Sequence, residues 1–307
     1  SKGGLSTAVA GLVQVAEQAG FEVGVVSFDD WRPSRTTRSE PDPSTSVSAT
    51  NAMRILRVTG PQDIDRAHVF AAEFRPNLVH CHNGMLAEFT GQIDVSAPWL
   101  FHVHVAQDLV HRWRGLSAPN KSLLGYQQAL QDADHVVFPS QDVHDAVVSN
   151  IPGLRVRSRV LPFGIFDTAL AQDSARSEGG KRVLYVGRFA DVKGTAELIE
   201  VFKQLRSRYS DLPLEIVGGS PASPKQTRRW VRKFEDALGH DGFSYLGWGS
   251  EKEVSEALGR ARVLVIPSHL ETFGLVALEG MLHGVPIVAS DCLGLRERFQ
   301  GGLTASL

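Results

Sequence analysis

Two glutamates with seven residues between them stand at a predicted strand-to-helix turn, in the segment PSHLETFGLVALEGM at 267–281. The helix is predicted to begin near Gly274, so Glu271 lies in the turn and Glu279 in the second helical turn. The free N–H groups and the dipole of a helix start attract an anion such as a diphosphate. Glu279 is placed to accept two hydrogen bonds from a cis-diol such as a ribose, and Glu271 to face a sugar beyond the phosphates. The segment therefore predicts a site for a sugar linked to a nucleoside diphosphate.

The alternative interpretation of this segment is an amphipathic helix whose glutamates only meet solvent. Leu275, Leu278 and Leu282 recur at helical spacing and predict a core-facing stripe, so part of that interpretation is expected to hold. The seven-residue interval directly after Pro267-Ser268 favours the functional interpretation.

Two cations follow the strand predicted at Val183–Val186. Arg188 comes directly after Gly187, and Lys193 comes five residues later. Two cations at a strand end stabilise the negative charge that builds up on a departing phosphate. Such side chains are usually solvated when they stand alone, but the glutamate segment downstream favours a role at a diphosphate.

Together these segments resemble the retaining glycosyltransferases of the GT-B fold, in particular family GT4, the glycosyl transferases group 1. Segment 267–281 is similar to the family's E-x7-E motif, and the Arg188 and Lys193 pair to its G-R-x4-K-G element. The resemblance implies that Glu271 contacts the donor sugar, that Glu279 holds the ribose, and that both cations bind the diphosphate. It also implies that backbone amides between the glutamates bind the phosphates, namely those of Thr272, Phe273, Gly274 and Leu275.

The resemblance covers most of the chain. Gly218, in LEIVGG, is similar to the family's turn beneath the nucleotide, and Trp248, in YLGW, to the segment that holds the base. Gly3-Gly4 before a predicted helix resembles the glycine loop near the donor phosphate. His104, at the end of FHVH, resembles the histidine near the reacting sugar. The family usually has Asp directly after that histidine, where this chain has Val105.

Two His-x-His pairs, His80 with His82 and His102 with His104, lie on neighbouring predicted strands. Strand alternation puts both members of a pair on one sheet face, which makes a metal-dependent hydrolase the rival function. Neutral histidines buried near a cleft are the preferred interpretation, because no additional Asp or Glu ligand follows a nearby strand. We therefore assign no metal ligand.

Two D-x-D sequences, at 63–65 and 132–134, offer another place to look for a metal. Both fall at predicted helix boundaries rather than after apolar strands. They are interpreted as capping and surface residues and not as a metal–diphosphate site.

Short apolar runs alternate with amphipathic stretches along almost the whole chain. Strands are predicted at 21–26, 78–82, 99–103, 135–138, 183–186, 214–217, 243–246, 263–266 and 287–289, and helices over 5–16 and near 195–208, 225–238, 252–260 and 274–283. This alternation predicts parallel sheets with helices on both faces and ligands beyond the carboxyl ends of the strands.

Two stretches lack this periodicity and are predicted as a long loop at 30–51 and an interdomain linker at 167–181. The expected fold is therefore α/β of the GT-B type, with two doubly wound Rossmann-like domains that face an interdomain cleft. We place an acceptor-binding domain at 1–166 and a nucleotide-sugar-binding domain at 167–307. The chain is interpreted as incomplete at both ends.

Composition narrows the class of protein. The 307 residues carry 32 basic and 34 acidic side chains, a net charge of -2 that argues against nucleic acid as a partner. Cys81 and Cys292 form no C-x-x-C pair, which argues against a zinc ribbon and fits a reducing, cytoplasmic location. No apolar run reaches the roughly 20 residues of a membrane span, and peripheral membrane contact stays open.

The function expected from these patterns is transfer of a sugar, with retention, from a nucleoside-diphosphate sugar to an acceptor hydroxyl. UDP is the first expectation by family frequency, with GDP and ADP open, and neither a metal nor another cofactor is expected. The acceptor is not identified. The alternatives are a sugar-nucleotide epimerase of the same fold, the metal-dependent hydrolase, and a non-catalytic sugar-nucleotide-binding protein.

Overall fold

The computed structural model describes residues 4–28, 48–50, 53–58, 63–82, 93, 95–151, 154, 157–165, 181–220 and 223–299. The chain divides into two compact units. The N-terminal unit comprises Leu5–Phe138 and Val147–Leu161, and the C-terminal unit comprises Ser1–Gly4, Pro139–Ala146 and Pro162–Leu307. The predicted linker lies outside the described residues, apart from its last residue, Lys181.

The N-terminal unit holds two sheets in its described part. The strands are β1 Val23–Phe28, β2 Ser48–Thr50, β3 Met53–Val58, β4 Val79–Cys81, β5 Trp99–His102, β6 His135–Phe138 and β7 Ser158–Val160. The helices up to this point in the chain are α1 Gly4–Gln18, α2 Ile64–Phe74, α3 Gln107–Trp113, α4 Lys121–Asp132 and α5 Gln141–Asn150. The first sheet has the order β1-β3-β2, and the second, β4-β5-β6-β7, is parallel throughout.

One part of the predicted loop at 30–51 is wrong. Ser48–Thr50 forms β2 and pairs antiparallel with Met53–Ile55 of β3. The prediction of purely parallel sheets therefore fails at this strand. The rest of the predicted loop, residues 30–47 and 51, lies outside the described residues.

The C-terminal unit is built on one five-stranded parallel sheet with the order β10-β9-β8-β11-β12. Its strands are β8 Arg182–Arg188, β9 Leu214–Gly219, β10 Phe243–Tyr245, β11 Ala261–Ile266 and β12 Ile287–Ala289. Its later helices are α6 Thr195–Arg208, α7 Pro224–Leu238, α8 Glu251–Gly259, α9 Leu275–Leu282 and α10 Arg296–Phe299.

This sheet is buried on both faces. Alternate residues of β8 enter opposite cores, with Leu184 in one apolar cluster and Val183 and Tyr185 in the other. Glu215 is the charged exception, since it is 3% exposed on β9 and its carboxylate accepts from Arg260 at 2.7 Å. Among the described residues no helix combines the length and apolar character needed to cross a membrane.

Candidate functional site

At the carboxyl ends of β8 and β9, the backbones of Gly187 and Gly218 lie in close contact. Gly218 has a φ of 152°, and a Cβ there would overlap the carbonyl oxygen of Gly187 on the neighbouring strand. The Gly218 N–H donates to the carbonyl of Gly247, beyond β10, at 2.7 Å. Any side chain at position 218 would separate the strands, so this rim of the sheet keeps open backbone where sequence analysis places the nucleotide.

The two predicted phosphate-binding cations lie beyond the same end of β8. Arg188 is exposed, and its guanidinium makes no hydrogen bond or ion pair with any residue that the structure describes. Lys193 ends a short 3-10 turn, Asp191–Lys193. Gly194 follows with a φ of 66°, and a Cβ there would overlap the carbonyl of Pro267 at the end of β11. Gly194 therefore holds the lysine turn against the start of the glutamate segment.

Lys193 and Glu271 form an ion pair. The Lys193 Nζ lies 2.6 Å from one carboxylate oxygen of Glu271, and the Ser268 hydroxyl donates to the other at 2.8 Å. The side chains of Lys193 and Glu271 are 22% and 14% exposed. The structure thus brings together two candidate residues that are far apart in sequence, and it leaves both reachable from solvent.

The turn after Glu271 is fixed by neighbours on several sides. The Thr272 carbonyl accepts from the Ser140 hydroxyl at 3.1 Å. The Phe273 ring is 2% exposed and lies edge-on to Phe163, with the Arg298 guanidinium 4.2 Å from its centroid on another side. These contacts hold the backbone of Thr272 and Phe273 in place at the start of α9.

Helix α9 begins at Leu275, directly after Gly274, whose φ is 80°. Its first N–H groups have no acceptor within the helix, as at any helix start. The predicted leucine stripe is wrong, because the buried face consists of Ala277 and Gly280 while Leu282 is 44% exposed. A Cβ at Gly280 would lie 2.7 Å from Leu264 on β11, so the small face lets the helix lie close to the sheet.

Glu279 differs from Glu271 in its surroundings. Its side chain is half-buried, and its carboxylate makes no hydrogen bond or ion pair within the described part of the chain. Burial, with the negative charge of Glu251 as a second cause, raises the pKa of Glu279 to about 7. A carboxylate in this state has unused hydrogen-bond capacity for a ligand.

The remaining candidates for donor binding are Trp248 and the glycine pair Gly3-Gly4. Trp248 is half-buried in the segment after β10. Gly3 lies outside the described residues, and Gly4 is the first residue of α1.

His104 belongs to a cluster of four imidazoles in the N-terminal unit. The His82 Nδ1 lies 2.9 Å from the His104 Nε2, and the rings of His80 and His102 stack alongside. Burial lowers the pKa of His80 and of His104 to about 4 and that of His102 to about 3, with neighbouring histidines adding to the effect at the latter two. The pKa of His82 is lowered further by the same causes. All four rings are therefore neutral near pH 7.

The two D-x-D sequences lie at helix boundaries, as predicted. Asp63 precedes α2 without a side-chain cap, and Asp132 is the last residue of α4. Asp134 accepts from the Trp99 backbone N–H at 2.7 Å, so it joins two strands of the sheet.

Sequence reasoning missed two tyrosines that hold the glycine turns. The Tyr185 hydroxyl donates to the Arg188 carbonyl at 3.1 Å, and the Tyr245 hydroxyl donates to the Gly218 carbonyl at 3.0 Å. The available signal was a tyrosine near the carboxyl end of an otherwise apolar strand, where a buried hydroxyl needs a partner.

Comparison with known proteins identifies the family. A family model described as Glycosyl transferases group 1 matches residues 167–307, and one described as Glycosyl transferase 4-like domain matches residues 3–164. The chain belongs to the group 1 glycosyltransferases of the GT4 type. This confirms the resemblance given by the E-x7-E segment.

Individual relatives support the same family and the GT-B fold. The glycogen synthase of Mycobacterium tuberculosis (strain H37Rv) is 28% identical over 240 residues, which are 75% of this chain and 56% of that protein. The sucrose-phosphate synthase of Thermosynechococcus elongatus superposes with a TM-score of 0.74 at 20% identity, covering 95% of this chain and 75% of that one. A UDP-forming trehalose-phosphate synthase of Burkholderia xenovorans, solved with glucose-6-phosphate, gives 0.69 at 14% identity, covering 100% and 85%.

The chain matches only part of the length of its curated relatives. The matched segments span 32% to 56% of the lengths of four of these relatives. The shared fold confirms the predicted GT-B class, in which α/β units carry functional residues at the carboxyl ends of parallel strands.

Proposed function

We propose that this glycosyltransferase moves a sugar from a nucleoside-diphosphate sugar to an acceptor hydroxyl, with retention of the anomeric configuration. The observation that carries the proposal is that Glu271, at the start of the E-x7-E segment, lies within hydrogen-bonding distance of both Lys193 and Ser268. In this proposal residues 167–307 bind the donor and residues 1–166 bind the acceptor.

In this proposal each charged candidate residue of the donor half has one role. Arg188 and Lys193 bind the diphosphate and stabilise the negative charge that grows as the glycosidic bond breaks. The backbone amides from Thr272 to Leu275 add hydrogen bonds and the positive end of a helix dipole. Glu271 accepts from sugar hydroxyls. Glu279 accepts from the ribose, for which its carboxylate is suited because it has no partner in the described part of the chain.

Uridine is the nucleoside that we propose first. Support comes from a UDP-forming trehalose-phosphate synthase of the same fold, and from family frequency. GDP and ADP sugars are the competitors. Trp248 is assigned to the base, and Gly3, Gly4, Gly187 and Gly218 to close backbone approach of the phosphates.

Retention follows from the chemistry proposed for these residues. Double inversion needs a carboxylate nucleophile beside the anomeric carbon, and we assign none. We propose attack on the face that the phosphate leaves: the departing phosphate accepts the proton of the acceptor hydroxyl while that oxygen bonds to the sugar. His104 orients the sugar, as the family resemblance implies, and does not act as the base.

No metal is needed in this scheme, since two cations and a helix start already balance the diphosphate. We place the chain in the cytoplasm, since its two buried cysteines, Cys81 and Cys292, form no disulfide with each other.

A thermal-shift screen of UDP-, GDP- and ADP-sugars tests the proposal. A ligand at 100 times its dissociation constant adds about 2.7 kcal/mol of stability, so the right nucleotide raises the melting temperature and the wrong ones leave it unchanged. A chain that responds to none of the three contradicts the proposed donor. Product analysis with the responding donor then separates transfer from epimerisation, in which the sugar changes but stays on the nucleotide.

A further inference from the structure

The four histidines of the N-terminal unit are packed more closely than two neighbouring strands require. The ring centroids of His80 and His82 are 3.9 Å apart, and those of His80 and His102 are 5.4 Å apart. One nitrogen from each of His80, His82 and His102 lies within 4.8 Å of the other two. Three imidazoles therefore converge on one region beside the ends of β4 and β5.

The chemistry of these side chains suits a metal ion. A neutral imidazole has one ring nitrogen whose lone pair can act as a ligand. The His80 Nε2 is buried and has no hydrogen-bond partner among the described residues. A buried nitrogen without a partner is unfavourable, and a metal ion bound there would satisfy it.

His104 adds the second feature of a metal centre. Histidines that bind a metal usually donate their other ring N–H to a neighbouring group, which fixes the tautomer and the ring orientation. The His82 Nδ1 is 2.9 Å from the His104 Nε2. When His82 donates in that hydrogen bond, its Nε2 keeps the lone pair that a metal requires.

We propose that His80, His82 and His102 bind one transition-metal ion of the zinc class, with His104 as the hydrogen-bonding partner of His82. Three nitrogens at about 2.0–2.1 Å from a tetrahedral ion lie about 3.3 Å from one another. The three nitrogens are now up to 4.8 Å apart. Side-chain rotations must therefore shorten these distances by at most about 1.5 Å. Three histidines leave the fourth position of the ion open.

This ion has no part in the proposed transfer reaction. One consequence does rest on the proposed function. The ion would be bound by His82, which is hydrogen-bonded to His104. Its positive charge therefore disfavours positive charge on a sugar held beside His104. Zinc is therefore expected to inhibit transfer, and chelation to relieve the inhibition.

The test measures binding on the whole chain, without a histidine tag and stripped of metal by EDTA. Titration with Co²⁺, followed by its visible absorption and then by Zn²⁺ competition, is expected to saturate at one equivalent. His80→Gln and His102→Gln are expected to abolish the absorption. His104→Gln is expected to weaken zinc binding about 10- to 100-fold, as for a lost outer hydrogen-bond partner.

His135→Gln is the matched control, because His135 is exposed on β6 in the same sheet and outside the cluster. It should bind Co²⁺ like the unaltered chain, and thermal unfolding of every variant reports whether the fold is kept. A folded chain that binds no Co²⁺, or one whose binding survives in His80→Gln, overturns the site. Because the titration contains no donor, failure of the proposed transferase function would not change its outcome.

Discussion

Replacing Glu279 with glutamine should make the empty protein more stable and donor binding weaker. The structure supports both directions, since the Glu279 carboxylate is half-buried, has no hydrogen-bond or ion-pair partner among the described residues, and has a pKa raised to about 7. An ionised carboxylate in such surroundings lowers the stability of the folded chain. Glutamine keeps the size of the side chain and removes its charge.

The effect on stability depends on pH. In the folded chain Glu279 has a pKa of about 7, against an ordinary value of 4.5. Its contribution to stability is therefore fully present below pH 4.5 and is lost as pH rises through 7. The lost contribution is about 3 kcal/mol at most. Glu279→Gln should match the unaltered chain near pH 4.5 and exceed it by up to about 3 kcal/mol at pH 8.5.

The effect on binding has the opposite sign. A hydrogen bond to a charged group contributes about 1.5–3 kcal/mol, so the variant should bind UDP about 10- to 100-fold more weakly at pH 8.5. The unaltered chain should itself lose affinity below pH 7, because a protonated Glu279 accepts less well from a diol.

Denaturant unfolding and calorimetric UDP titration, each at pH 4.5 and 8.5, measure both effects. Glu256→Gln is the control, since this exposed glutamate on α8 pairs with Lys252 at 3.9 Å; its change should stay within about 0.5 kcal/mol. Equal UDP affinity in Glu279→Gln at pH 8.5 would refute the ribose assignment. A variant less stable than the unaltered chain at pH 8.5 would refute the electrostatic reasoning.

Four further outcomes are expected. Arg188→Ala and Lys193→Ala should lower kcat about 10²- to 10³-fold, because their charge matters most as the phosphate departs; a change confined to KM would make them binding residues only. Transfer should persist in EDTA, and loss of turnover that Mn²⁺ or Zn²⁺ restores would contradict a metal-free reaction. Gly194→Ala should destabilise the C-terminal unit by about 2 kcal/mol or more, given its positive φ and the overlap with Pro267; unchanged unfolding would show that the turn can move. Proton NMR of the first product should show the donor's anomeric configuration, also for the slower His104→Ala variant, and an inverted anomer would contradict the retaining mechanism.

The sequence predicts the C-terminal sheet well because its strands are buried on both faces. Continuous apolar runs mark them, and β12 has the predicted bounds while β9 extends two residues further, to Gly219. Signals of this kind are local, so they survive without knowledge of the partners.

Elements stabilised by distant partners were harder to predict. β3, Met53–Val58, carries arginines at positions 54 and 57 and was not predicted, although Leu56 and Val58 are buried. β2 is short and polar, and it is a strand only because it pairs with β3. The leucine stripe of α9 failed for a related reason, since Gly280 allows a closer approach to the sheet than any leucine face would.

For the candidate site, the spacing of the residues in the sequence predicted which residues take part. It did not predict their ion pairs or their pKa values. The Lys193–Glu271 ion pair depends on how the Gly194 turn packs against Pro267. The raised pKa of Glu279 depends on the depth at which α9 lies and on Glu251 from α8. Neither follows from a motif.

The two glutamates of the E-x7-E segment are the same residue type in opposite situations. Glu271 has a cation at 2.6 Å and a hydroxyl donor at 2.8 Å, so its negative charge is balanced before any ligand arrives. Glu279 has no such partner in the described chain. Because an unsatisfied carboxylate gains most from new donors, a diol is worth more at Glu279 than at Glu271. A phosphate that draws Lys193 toward itself would in turn release Glu271 to accept from the sugar, which makes sugar recognition depend on the diphosphate that carries it.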